Sequence, residues 1–128
     1  MLAAQHRLND AEDFRTVSRR GRRAGSRTVV VHLLAPEGEQ AVGVPARAGF
    51  VVSKAVGVAV VRNRVKRRLR HLVRERQHLL PAGCRVVVRA QPAAAQAGSE
   101  ELAADLDRCL SRAVAPGEPA CAAAQEAR

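Results

Sequence analysis

Aromatic side chains are almost missing from this chain: Phe14 and Phe50 are the only two, with no Trp and no Tyr. A single-strand binder built on a platform of stacked rings is disfavoured by that count, and Val, Leu and Ala must fill the core. Cysteine is also scarce. Cys84, Cys109 and Cys121 make an odd number without zinc-ligand spacing, so a disulfide framework is not supported and a reducing cytoplasm is the expected compartment. No apolar run approaches the roughly 18 residues of a membrane span. The opening MLAAQHRLNDAEDF is too polar for a signal peptide, with acids from Asp10 onward. The four histidines, at positions 6, 32, 71 and 78, are scattered and form no set at metal-ligand spacing. The phosphate-loop, zinc-protease and nucleophile-elbow motifs are all lacking. No catalytic residue and no metal ligand is therefore expected in the protein itself, and any hydrolysis it takes part in must be carried by a partner.

What the chain does have is positive charge. Its 128 residues, enough for one ordinary domain, hold 22 basic against 12 acidic side chains, a net charge of +10. An excess of that size implies a polyanionic partner, nucleic acid or an acidic membrane surface. The charge is unevenly placed. Residues 1–23 carry a net +3, residues 24–53 are neutral, and residues 54–76 set nine basic side chains against Glu75 alone; residues 77–95 add Arg85 and Arg89, and residues 96–128 are net acidic at −3. Self-repulsion within 54–76 is a standing cost unless a polyanion relieves it.

The pattern along the chain reads α-β-β-α-β-α. Asn9 with Glu12 marks a helix start, Phe14 and Val17 share its apolar face, and the helix ends before Gly21. Thr28–Leu34 and Arg47–Lys54 read as strands, separated by a loop over 35–46 that holds two Pro and two Gly. After Gly57 a helix begins near Val60. A third strand spans Cys84–Arg89, and Ser99 is expected to cap a last helix with apolar stripe Leu102, Leu106, Cys109, Leu110 and Ala113. The domain is expected over 1–115, with 116–128 a disordered tail.

The helix after Gly57 is the informative element. At about 100° per residue, Val61, Val65, Leu69, Leu72 and Val73 form one apolar stripe. Lys66, Arg70, Asn63, Arg74 and Arg67 fall opposite, and Arg64 and Arg68 flank the stripe. Solvated helices normally mix signs for i, i+4 pairing; this one offers a cationic ridge. The ridge can meet a polyanion only if the acidic C-terminal part of the chain does not cover it.

Arg47–Arg70, RAGFVVSKAVGVAVVRNRVKRRLR, closely resembles the signature of the protein subunit of bacterial ribonuclease P: a strand ending in Val-Ser-Lys, a Gly, then the Arg-Asn-Arg helix. Asp13-Phe14, Val17 and Gly21 upstream fit as well, and the resemblance spans about residues 7–113. It implies an α+β single-domain sandwich with a left-handed β-α-β crossover, a fold also known from a small-subunit ribosomal protein. It implies a ribonucleoprotein endonuclease that removes 5′ leaders from precursor tRNA, with catalysis and Mg²⁺ in the RNA subunit. By position, Arg62, Asn63, Arg64, Lys66, Arg67 and Arg70 would bind the catalytic RNA. Phe14, Val17, Ser18, Val30, His32 and Lys54 would form the cleft for the single-stranded leader. Similar proteins usually carry aromatics where Ser18 and His32 stand, so leader binding here would lean more on His32 and on phosphate contacts. No membrane or protein partner is indicated. The alternative is a structural RNA-binding protein, for example one that binds ribosomal RNA or anneals RNA, which needs the ridge but no cleft. A DNA-binding role lacks the second short helix of a helix-turn-helix, and a membrane-surface role lacks bulky apolar anchors.

Overall fold

The computed structural model of the protein describes residues 11–35 and 45–114. The first element is helix α1, Ala11–Arg20, with Glu12 and Asp13 in its first turn and Arg19 and Arg20 in its last, each complementing the helix dipole. Gly21 ends it by donating its N–H to Val17 O at 2.8 Å. A Cβ at Gly21 would lie 2.6 Å from Val17 O and 2.9 Å from Leu33 O, so only glycine lets the chain pass straight from helix into sheet. Three strands follow, β1 (Arg22–Gly25), β2 (Val29–Leu34) and β3 (Arg47–Val51). Then come helix α2 (Ala59–Glu75), a 3-10 turn at Gln77–Leu79, strand β4 (Arg85–Ala90), a second 3-10 turn at Pro92–Ala95, and helix α3 (Ser99–Val114).

The sheet order is β1-β2-β4-β3. The first two pairings are antiparallel, while β3 runs parallel to β4, so β3-α2-β4 is a crossover unit. Alternation along the strands gives the sheet two faces. One face presents Ala24, Val29, Val31, Leu33, Ala48, Val86, Val88 and Ala90 to the buried stripes of α2 and α3, and this is the main core. The other face carries a small second cluster, where Val17 of α1 packs on Val87 with Phe14, Leu34 and Val51 around them.

The expected mixed α+β architecture is present, with several differences in detail. Strand β1 was not expected: Arg-Arg-Ala-Gly has no apolar alternation, and it is a strand because it pairs Arg22–Gly25 with Leu33–Val30 at the sheet edge. The second expected strand stops at Val51, and residues 52–58 turn into α2. Ser99 does not cap α3; the Leu102 N–H bonds to Gly98 O at 3.0 Å, which makes Ser99 the first helical residue. All five residues of the α3 stripe are buried, and so is Asp105. Its Oδ2 accepts from Thr28 Oγ1 at 2.6 Å and from the Thr28 N–H at 3.3 Å, and Arg108 pairs with Oδ1, so the carboxylate pins the helix to the start of β2. The Asn9 helix start, most of the 35–46 loop and the C-terminal tail lie outside the described residues.

Candidate nucleic-acid interface

Helix α2 buries Val65, Leu69, Leu72 and Val73 and half-buries Val61, so the expected apolar stripe does face the core. The outward stripe is Val60, Asn63, Arg64, Arg67, His71 and Arg74, all exposed. Lys66 and Arg70, expected at the crest, are half-buried on its flank, and Arg64, expected beside the apolar stripe, is exposed on the ridge. The stripe is turned because α2 leans on α3 and on the 3-10 turn after β4 as well as on the sheet. Arg64 Nη2 donates to Ala95 O at 3.3 Å and Arg68 Nη1 to Ala97 O at 3.1 Å, which fixes that side of the ridge. Arg62 Nε donates back to Gly57 O at 3.1 Å and braces the helix start. Val58 occupies the N-cap position without a side-chain cap, and the first turn holds no acid, so the positive end of the helix dipole adds to the ridge.

One nearby acid meets the ridge, and several on α3 are engaged away from it. Glu75 faces His71 at 3.2 Å and Arg76 at 3.5 Å. On α3, Asp107 takes Arg76 at 2.5 Å, Glu101 pairs with Arg27, and Asp105 with Arg108. The Asp107 hydrogen bond, which outweighs the opposing effect of burial, raises the pKa of Arg76. Among the described residues, the paired acids of α3 thus neutralise arginines outside the ridge, while Glu75 meets the ridge at His71.

A second surface lies across the sheet. Phe14, Arg15, Ser18 and Arg19 of α1, Val51 of β3 and Arg89 of β4 line an open cleft of about 400 Å³. Helical spacing puts Phe14 with Ser18 and Arg15 with Arg19; strand alternation puts Arg89 on the same face as Val87 and beside Val51, its partner in register. The cleft therefore offers one aromatic face, one hydroxyl and three guanidinium groups. Of the six residues expected here, Phe14 and Ser18 line it. Val17 is fully buried beneath, against Val87, and can shape the floor without touching a ligand. Val30 and His32 lie on the same sheet face but are buried, at 3% and 8% exposure. Lys54 is exposed on the turn after β3 and does not line the cleft.

His32 stands across from Arg23 in the β1–β2 register, and its Nδ1 is buried without a partner. Burial, then the charges of Arg23 and Arg89, hold its pKa below the ordinary value. Arg15, Arg19, Val51 and Arg89 were missed in the sequence, although the i, i+4 step from Phe14 and the alternation Arg85-Val87-Arg89 were there to be read. Among the described residues no three His, Cys, Asp or Glu side chains gather into a metal site. No described helix is long and apolar enough to cross a membrane.

A small basic α+β domain with a strongly cationic helix on one side and an arginine-lined cleft on the other is a polyanion-binding protein. The sequence profile of the ribonuclease P family matches residues 2–114. The ribonuclease P protein component of a Nocardioides strain is 61% identical over 112 residues, 88% of this chain and 94% of the relative. That of Streptomyces avermitilis is 55% identical over 121 residues, covering 91% and 98%. The chain belongs to the ribonuclease P protein family. The RNase P protein of Staphylococcus aureus superposes with a TM-score of 0.73 at 24% identity, covering 85% of this chain and 97% of that one. The Thermotoga maritima RNase P protein gives 0.69 at 24%, covering 83% and 96%. At that identity the two likenesses speak for the fold alone.

Proposed function

We propose that this chain is the protein component of a cytoplasmic ribonuclease P, the ribonucleoprotein endonuclease that removes 5′ leaders from precursor tRNA. The exposed face of α2 holds the catalytic RNA through Asn63, Arg64 and Arg67, with Arg62, Lys66 and Arg70 on its flanks. The cleft beside α1 holds the single-stranded leader, with Phe14 stacking on a base and Arg15, Arg19 and Arg89 meeting phosphates. Bond cleavage belongs to the RNA subunit with its Mg²⁺, and the protein contributes charge neutralisation and capture of the leader. The observation that carries this reading is the coexistence of two separate cationic surfaces on opposite faces of one sheet. A structural RNA-binding protein needs only the first. Guanidinium groups suit phosphate because they donate bidentately, and one ring supplies roughly 1–3 kcal/mol per stacked base.

The test is reconstitution with a bacterial ribonuclease P RNA at low Mg²⁺. Adding the protein is expected to stimulate removal of the leader from a precursor tRNA. Binding to the RNA without any gain in cleavage would instead favour the structural role.

A further inference from the structure

Arg23 belongs to neither cationic surface described above. It does not line the cleft, yet strand alternation puts it on the cleft's face of the sheet. Its neighbour Ala24 points into the main core. Arg23 itself stands across from His32, and Val30, two residues before His32, stands across from Arg89. Arg23 and Arg89 are close enough to His32 for both charges, after burial, to hold its pKa low. Both arginines are exposed, and among the described residues neither forms an ion pair.

We infer that the single-stranded leader continues out of the cleft, across β2 to the β1 edge of the sheet, and that Arg23 holds one of its phosphates there. The register sets the route. One row crosses the sheet through Val51, Arg89, Val30 and Gly25. A Cβ at Gly25 would meet only a Val30 methyl within 4 Å, at 3.8 Å, so the β1 end of the row has no wall. The other direction is closed. There α1 packs Phe14 and Val17 with Leu34 and Val87, and its Asp13 takes Arg85 at 2.9 Å. Neighbouring strands lie about 4.8 Å apart, so Arg89 on β4 and Arg23 on β1 are roughly 10 Å apart across the sheet, the span of about two nucleotides. Val30 and the uncharged imidazole of His32 form a closed floor between them, and no acid stands on this stretch of the face. A phosphate contact of this kind positions the strand without reading its bases. The inference rests on the cleft beside α1 being the leader site, and it lengthens that site by one charged contact.

The experiment measures binding of precursor tRNAs to the holoenzyme reconstituted with a bacterial ribonuclease P RNA, with the leader shortened one nucleotide at a time. The parent is compared with Arg23→Ala, Arg23→Lys and Arg89→Ala. At pH 8 the imidazole is neutral in every variant, so loss of Arg23 cannot act through protonation of His32. With the longest leaders, Arg23→Ala is expected to weaken binding roughly threefold to fivefold, the size of one exposed ion contact. It should also flatten the slope of log K against log salt by about 0.7, the share of one single-strand phosphate. Arg23→Lys should restore most of both. As the leader shortens, the Arg23→Ala loss should vanish at a length about two nucleotides away from that at which the Arg89→Ala loss vanishes. Affinity for mature tRNA should not change, which a disordered edge strand would not guarantee. If Arg23→Ala binds every leader as the parent does, or if its loss persists with mature tRNA, the longer track is wrong. Losses that vanish at one and the same length overturn it too, since Arg23 would then act within the cleft. If Arg89→Ala has no effect at any length, the cleft itself is not the leader site, and the track falls with it.

Discussion

Gly21 and Gly25 open and close strand β1, and they predict opposite sensitivities. A methyl group at Gly21 meets two backbone carbonyl oxygens that cannot retreat, whereas at Gly25 the nearest atom is a Val30 methyl at 3.8 Å, an ordinary contact. Gly21→Ala is expected to destabilise by about 2–3 kcal/mol and Gly25→Ala by less than about 1 kcal/mol, both read from urea unfolding midpoints. His32 makes a prediction in pH. Its pKa is lowered in the folded protein by burial and by Arg23 and Arg89. As pH falls through the ordinary value of about 6.5, the unfolded chain binds a proton that the folded chain refuses, so stability is lost on the acid side and is complete above that value. Unfolding curves at neutral pH and near pH 5.5 should show a steeper acid loss for the parent than for His32→Gln. Equal slopes would mean that the imidazole is not held neutral.

Among the elements, α3 is held by one buried acid in addition to its apolar stripe. Asp105→Ala leaves Thr28 Oγ1 without its acceptor and Arg108 without its partner, and is expected to cost about 2–3 kcal/mol, while Ala104, exposed on the same helix, should tolerate substitution. The reach of sequence reading differs from element to element. The buried side of α2 was legible because Val65, Leu69, Leu72 and Val73 recur at helical spacing within a helix of seventeen residues. The direction of its ridge was not, because the lean toward Ala95 and Ala97 is set by tertiary packing. Asp105 was hidden for a similar reason: its partner is 77 residues away, and nothing local announces it. Strand β1 carries no pattern of its own, being held by its partner. The cleft was half legible. Phe14 and Ser18 follow from resemblance, but Arg89 joins them only once the register of β3 on β4 brings it beside Val51.

On the scale of the whole molecule, the two cationic surfaces lie on opposite faces of the sheet, and this separates their effects. Phe14→Ala is expected to reduce cleavage of a leader-bearing precursor by about tenfold at subsaturating substrate, with affinity for the catalytic RNA unchanged. Equal losses in both measurements would argue against a distinct leader site. The strand order also has a consequence for biosynthesis. Strand β4 is the last of the described strands yet sits between β2 and β3, hydrogen-bonded to both. A ribosome making this chain therefore releases β2, β3 and α2 before the strand that unites them. Until residues 85–90 emerge, only the β1–β2 hairpin can pair as it does in the finished sheet, and the valines and leucines of α2 wait without their seat. Non-local pairing of this kind is slow to form, so the nascent chain passes through an interval in which it is cationic, apolar and unfolded at once, beside a ribosome that is itself largely RNA.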